Sequence, residues 1–270
     1  AVESLVVDHP TNPAAQMGPV VEEPGEKLTR GLTQLEPDQR WHLVPKRLDD
    51  TGRLFSPGIR SGIRPGSEFH TTEYFGPVLG VMSAPTLDEA IDYVNAVPYG
   101  LTSGIHSLDP DEIATWTERV AAGNLYINRG ITGAIVQRQP FGGWKRSSIG
   151  PGTKVGGPNY LLGLSDWSDA PDTLPEVHEE VTEEFIAAVA PYLDNDDAQW
   201  LAHAVAHDAV AVETYTGKRD VTNLEVEINV LRYRPVPVHV RLTDPTSIGI
   251  AQMLRVVAAG LRVQQATATG

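Results

Sequence analysis

Two stretches of this chain place ligand-holding residue types at useful spacing. The first is TEYFGPV, residues 72–78. Glu73 and Phe75 stand two apart, so on extended backbone they face the same way. A carboxylate there can accept hydrogen bonds from both hydroxyls of a ribose, and an aromatic ring beside it can pack against a flat ring. Gly76-Pro77 fixes the backbone at the entry to the apolar run that follows. The same residues also fit a solvated glutamate beside a core phenylalanine, the commoner arrangement on composition alone.

The second stretch, NRGITGAIVQRQPFGGWKRSSIGPGTKVGGPNYL, covers residues 128–161 and directly follows a predicted strand. A long glycine-rich loop at the carboxyl end of a parallel strand is where α/β sheets bind ligands. Thr132-Gly133-Ala134 offers backbone N–H groups with little side-chain obstruction, a plausible nest for a carboxylate. Phe141-Gly142-Gly143 offers an aromatic wall and then room. An irregular structural loop is the alternative. A GxGxxG fingerprint and a P-loop are both absent from the sequence, so a phosphate cradle has no support.

Other chemistry finds less. His203 and His207 are i and i+4 on a predicted helix, but no HExxH arrangement or third ligand accompanies them, so no metal site is expected. Ser147-Ser148 lacks the GxSxG setting of a hydrolase nucleophile. The chain has 0 cysteines, which excludes a thiol nucleophile, a disulfide or a thiolate metal ligand within it.

The elements that must hold these residues read as a parallel α/β sheet. PVLGVMS is a short apolar run; Thr86 and Glu89 form a capping box for a helix whose Leu87, Ala90, Ile91 and Val94 share one face. Pro98 and Gly100 end it, and LTSGIHS follows as a strand. Asp109-Pro110 starts a second helix with Ile113, Trp116 and Val120 on one side, Gly123 stops it, and NLYIN is the next strand. Strand–helix–strand–helix–strand predicts one parallel sheet with right-handed crossovers.

Charge and punctuation suggest two parts. The chain has 21 Lys+Arg against 35 Asp+Glu, a net charge of −14, which argues against nucleic acid or anionic membrane as a partner. Residues 155–217 contain no Lys or Arg but 13 Asp and Glu, the pattern of a solvated face or linker. The predicted organisation is a first domain over 1–165, an acidic connector over 166–176, and a second, incomplete α/β unit over 177–270. In that second unit helices are expected at 177–190 and 197–213, strands at 224–230 and in VPVHVRL, and a last helix through Ile250 and Leu261. No run of 18 apolar residues predicts a transmembrane helix, and AVESLVVDHPTNP lacks the basic and long apolar regions of a signal peptide, reading instead as the middle of a longer chain.

Read together, EYFGPV, TLDEAIDYVNAVPYGLTSGI, GNLYIN and PFGG resemble the aldehyde dehydrogenase superfamily over residues 1–165, and VDHPTNPAAQMGPVV is similar to the stretch after that family's catalytic cysteine. ITGAIVQRQPFGGWKRSSIGPGTKVGGPNYL resembles the 1-pyrroline-5-carboxylate dehydrogenases, including the aldehyde dehydrogenase part of bifunctional proline utilisation A proteins. The resemblance implies that Glu73 binds the nicotinamide ribose of NAD and that Phe75 packs near the nicotinamide. It implies that Gly133 and Ala134 hold the α-carboxylate of glutamate γ-semialdehyde and that Phe141 lines the aldehyde pocket. Family members often carry serine where Ala134 stands, so a hydroxyl contact is absent here while the backbone contact survives. In the family a cysteine attacks the aldehyde, an asparagine and a backbone N–H stabilise the oxyanion, and a glutamate activates water. All three side chains are expected upstream of Ala1, so the chain alone is expected to be inactive.

The residues near Gly157 to Ser165 resemble the strand that joins subunits, implying a homo-oligomeric, cytoplasmic enzyme. RDVTNLEVEINVLRYRPVPVHVRL resembles the extra C-terminal region of some long proline utilisation proteins, a partial fold without chemistry of its own, in which Arg232-Tyr233-Arg234 could bind an anion but more readily caps a neighbouring surface. Two alternatives stay open: a non-catalytic structural or oligomerisation module, and a dehydrogenase for another amino-acid-derived aldehyde.

Overall fold

The computed structural model describes residues 1–136, 138–149, 153–168, 179–220, 222–236 and 238–262. Its internal contacts divide it into one unit of residues 1–134 and 141–155 and another of residues 135–140 and 156–270.

In the first unit, α1 (Glu26–Thr33) buries Leu28, Gly31 and Leu32 along one side. β1 (Arg40–Leu43) pairs antiparallel with β2 (Gly58–Ser61). The short α2 (Glu68–Thr71), capped by the Ser67 hydroxyl, leads through residues 72–77 to β3 (Val78–Val81), which runs parallel to β2 with Gly58 opposite Val78 and Ser61 opposite Val81.

The capping residues of the next segment act as their types predict. Thr86 Oγ1 accepts from the Glu89 N–H at 3.2 Å and starts α3 (Leu87–Ala96). After β4 (Tyr99–Gly100) and β5 (Thr102–Ile105), Asp109 Oδ1 accepts from the Asp111 and Glu112 N–H groups at 2.8 and 3.3 Å and starts α4 (Pro110–Arg119). β6 (Asn124–Ile127) then lies parallel to β5, Thr102 opposite Asn124 and Ile105 opposite Ile127. Ile91, Trp116, Val120 and Ala122 form the core between these helices and strands, with Leu87, Ile105 and Leu125 against it. Val94, expected on the same face, is instead exposed. β7 (Trp144–Lys145) closes back antiparallel onto β4.

The single parallel sheet expected from the sequence is divided. β3 pairs with β2, and β5 pairs with β6, as separate sheets among the described residues. The unforeseen partner, β2, reads Gly-Ile-Arg-Ser and buries Arg60 to 2% exposed. A buried arginine breaks the apolar alternation by which half-buried strands are recognised.

The second unit is mainly helical. α5 (Glu180–Val189), α6 (Asn195–Thr216) and α7 (Ser247–Arg262) pack around Leu201, Val205, Ala251 and Ala258, with Phe185, Ile186 and Leu254 beside them. The helices fall where periodicity places them. The strands do not. Among the described residues only Arg219–Asp220 (β8) and Val230–Leu231 (β9) pair, antiparallel, while Val226, Ile228, Val236 and Val238 are exposed. The loop's amides go to one side chain instead: Asp220 accepts from the N–H groups of Thr222, Asn223 and Asn229 at 2.9, 3.1 and 2.9 Å. The segment near 157–165, expected as a subunit-joining strand, is a 3₁₀ turn over Tyr160–Leu164.

Residues 169–178, which include most of the expected connector, lie outside the described residues. Residues 135–140 go with the second unit, against the expected first domain, because their polar side chains bond there. Gln139 Nε2 donates to Glu227 and Asn229 at 3.2 and 2.7 Å, and Arg138 pairs with Glu227.

Candidate functional site

The first group of site residues lies between α2 and β3. Glu73 and Phe75 are both exposed, Phe75 to 78%, while Tyr74 between them is buried to 8%. Both site side chains are exposed, as expected, but not on the extended backbone that a period of two assumes. Phe75 adopts φ +56, a left-handed conformation uncommon for a bulky residue, and so its ring is carried outward on a fixed backbone. Its neighbours are closely packed. Tyr74 stacks on Phe69 with centroids 4.8 Å apart. Its ring fills the place a side chain at Gly31 would need, 2.5 Å from an added Cβ. Gly76 sits where any Cβ would run into the side chain of Leu28. An open groove of about 690 Å³ beside Phe75 is lined by Pro19, Val20, Val21, Glu23 and Leu28.

Arg60 supports this arrangement from beneath, and its role was not legible in the sequence. Its guanidinium lies over the rings of Phe69 and Trp41, 4.0 and 4.5 Å from their centroids. It donates to the Gln34 carbonyl at 2.7 Å, to Gln39 Oε1 at 3.1 Å, and to the Gly31 carbonyl. It thus ties the end of α1 to β2 and to the ring that carries Tyr74. Burial pushes its pKa down from the ordinary arginine value.

The second group follows β6. Gly133 has φ +81, open space lies around the position a Cβ would take, and it is exposed; Ala134 is half-buried. A left-handed glycine lets successive N–H groups turn toward one acceptor. Phe141 is half-buried and forms an antiparallel bridge with Val155: Phe141 N to Val155 O at 3.0 Å and the return bond at 2.8 Å. Gly142 N donates to the side-chain oxygen of Asn124 at 3.1 Å, fastening the Phe-Gly-Gly turn to the start of β6. Glu73 and Phe75 thus stand at the entry to one sheet, and Gly133, Ala134 and Phe141 follow the last strand of another.

Lys154 was also missed. Its amine donates to the Gly123 carbonyl at 2.6 Å, the Gly142 carbonyl at 2.8 Å and Asn124 Oδ1 at 3.0 Å. Desolvation lowers its pKa to about 8. A lysine in a glycine-rich run reads as a surface residue, and nothing in the spacing distinguishes it. His203 and His207, the only metal-ligand spacing noted, lie on α6, and among the described residues no helix is long and apolar enough to cross a membrane.

Comparison with known proteins gives this geometry a family. Residues 1–167 match the aldehyde dehydrogenase family. The 1-pyrroline-5-carboxylate dehydrogenase of Bacillus subtilis is 34% identical over 161 residues, 59% of this chain and 31% of that protein. Proline utilization A (PutA) from Corynebacterium freiburgense superposes with a TM-score of 0.86 at 44% identity, covering 98% of this chain and 26% of its own. The Thermus 1-pyrroline-5-carboxylate dehydrogenase with bound NAD superposes with a TM-score of 0.52 at 35% identity, covering 60% of this chain and 31% of its own. The chain spans about a third or less of the length of each of these proteins. The match over residues 1–167, more than half of the chain, and the shared partial α/β architecture place it plainly: this chain belongs to the aldehyde dehydrogenase family.

Proposed function

We propose that this chain is part of a longer NAD-dependent dehydrogenase that oxidises L-glutamate γ-semialdehyde to L-glutamate in proline catabolism. The observation that carries the reading is the Gly133–Ala134 loop: a left-handed glycine, open to approach, at the carboxyl end of a parallel strand. A simple alkyl aldehyde has no group for such a loop to hold. The semialdehyde has a charged α-carboxylate, which must lose water on binding and so needs dedicated donors. The names of the relatives support the same substrate.

The residues at 73 and 75 fit the nicotinamide end of NAD. Glu73 is exposed, and Phe75 exposes its side chain at a left-handed backbone position. Glu73 would accept from the ribose hydroxyls and Phe75 would pack on the nicotinamide. When bound, NAD supplies the hydride acceptor. Phe141 would line the aldehyde pocket and Gly133 and Ala134 would orient the head group, which sets the carbonyl in one position for attack. With 0 cysteines, the chain cannot supply the thiol nucleophile, which we assign to the remainder of the longer enzyme. The second unit, rich in exposed apolar residues, serves in this reading as a non-catalytic cover, and the enzyme works as a homo-oligomer.

The test is NADH formation from glutamate γ-semialdehyde. The longer enzyme should produce it and the purified 270-residue chain should not. Turnover by the chain alone would exclude the assignment of the nucleophile. No turnover by the longer enzyme would exclude the substrate.

A further inference from the structure

The Phe-Gly-Gly turn has no regular element to stiffen it between Gln139 and β7, yet Phe141 must face one way to serve as a wall. Three features converge on it. The Phe141–Val155 bridge fixes its backbone on one side. Asn124, 8% exposed at the first position of β6, accepts from the Gly142 N–H. Lys154 reaches across to the Gly142 carbonyl, so both backbone polar groups of Gly142 are anchored. The fit is close: an added Cβ at Gly123 would collide with the same Gly142 oxygen.

The amine is occupied in an unusual way. An ammonium has three N–H donors, and here each finds one neutral oxygen: Gly123 O, Asn124 Oδ1 and Gly142 O. No carboxylate accepts from it among the described residues. A lysine kept for charge balance would pair with an acid. This one is spent on joining the turn to β6.

We propose that Lys154 is a positioning residue for the aldehyde pocket, acting through Gly142 to fix the direction in which Phe141 presents its ring, an inference that rests on the proposed role of Phe141 as pocket wall. Lys154 touches no reacting atom. Its loss lets the turn swing, and the wall that holds the aliphatic part of the substrate moves with it. Contacts made equally in ground and transition states appear in KM more than in kcat.

A double-mutant cycle in the longer enzyme tests this with glutamate γ-semialdehyde as substrate. Lys154→Met should raise KM roughly tenfold with kcat changed less than about twofold, since displacing a positioning group by a fraction of an ångström has effects of this order. In a Phe141→Ala background, where the wall is already gone, Lys154→Met should raise KM less than about twofold. Lys154→Gln, whose amide keeps two N–H donors on a shorter stem, should fall between and provides a milder variant where Met gives no soluble enzyme. A fall in kcat with unchanged KM would mean a smaller active fraction and a purely structural lysine, overturning the inference. Equal KM effects in both backgrounds would overturn it as well. Failure of the wild-type enzyme to turn over would overturn the proposed function and this inference together, so the two failures are distinct.

Discussion

Arg60 in the first unit and Arg262 in the second are both buried cations, and their partners differ. Arg60 is held by two carbonyls, an amide oxygen and the faces of two rings. Arg262, its side chain 4% exposed, is held by Glu179 at 2.5 Å together with the Val205 carbonyl. The pattern extends beyond these two. Lys154 is surrounded by neutral oxygens, while Arg255 takes both oxygens of Asp208 at 2.7 and 2.8 Å and Arg138 takes Glu227. The buried and half-buried cations of the second unit thus take carboxylates, whereas Arg60 and Lys154 take neutral acceptors. The first unit's own ion pairs, such as Arg30–Glu68 and Arg119–Asp88, lie at its surface, and Glu73 is exposed, as a ribose contact requires. The acidic composition of residues 155–217 is therefore only partly a solvated face.

The largest expected effect breaks the first half of this contrast. Arg60→Leu removes the cation and leaves the Gly31 and Gln34 carbonyls without their donor, while Gln39 Oε1 keeps the Glu36 N–H; at about 1–3 kcal/mol for each buried acceptor left unmet, the loss is about 2–6 kcal/mol. Hydrogen exchange should rise in α1 and β1–β3 while α5–α7 stay protected. Equal loss of protection in both units would show them to be one cooperative body. Leu201→Ala is the reciprocal test. It opens a cavity between α6 and α7, costs about 2–5 kcal/mol, and should expose the second unit alone.

Much of this frame was legible beforehand. The caps at Thr86 and Asp109 work as their residue types dictate, because a cap is a local hydrogen bond. The outward placement of Glu73 and Phe75 was expected from a period of two, although a left-handed residue at Phe75, not extended backbone, carries it. The three helices of the second unit follow from apolar periodicity. What could not be read depends on distant partners. β2 hides behind a buried arginine whose acceptors lie 21 to 29 positions away. Of the strands expected at 224–230 and 236–242, only Val230 pairs among the described residues, because alternation shows which residues would share a face but not whether a neighbouring strand exists to cover it. Lys154 needs Gly123 and Gly142 brought together before its role appears.

A smaller effect concerns the free carboxylate. Glu73→Gln in the longer enzyme should slow hydride transfer about tenfold, since a charged acceptor to hydroxyls contributes roughly 1.5–3 kcal/mol. Asp208→Asn should leave that step unchanged, because Asp208 pairs with Arg255 in the second unit. Single-turnover NADH absorbance separates the two, and an unaltered hydride step in Glu73→Gln would remove this residue from the site.

The smallest effect is a dependence on pH. Hydrogen bonds from Thr222 and Asn229 hold the Asp220 carboxyl at about 2, below its ordinary 3.8. The stability this gives is fully present above pH 3.8 and is lost as pH falls toward 2. Lys154 acts oppositely. Its value of about 8 lies below the ordinary 10.5, so burying its charged form opposes folding, and that opposition fades as pH rises from 8 to 10.5. Urea midpoints across pH should show Asp220→Asn flattening the acid limb and Lys154→Met the alkaline one. Unchanged limbs would mean that neither group titrates as its surroundings imply.

The central claim is that the Gly133–Ala134 loop holds the carboxylate of the substrate. Ala134→Leu in the longer enzyme should fill the volume beside the left-handed Gly133 and leave that carboxylate unpaired. Losing charge-assisted bonds of this kind costs on the order of 2–5 kcal/mol, roughly 30-fold to several thousand-fold in kcat/KM for glutamate γ-semialdehyde. Propanal has no head group to lose, so its kcat/KM should change far less. The measurement is the ratio of the two specificity constants in wild type and Ala134→Leu. A collapse of that ratio toward propanal is the predicted result, and equal losses for both substrates would contradict it.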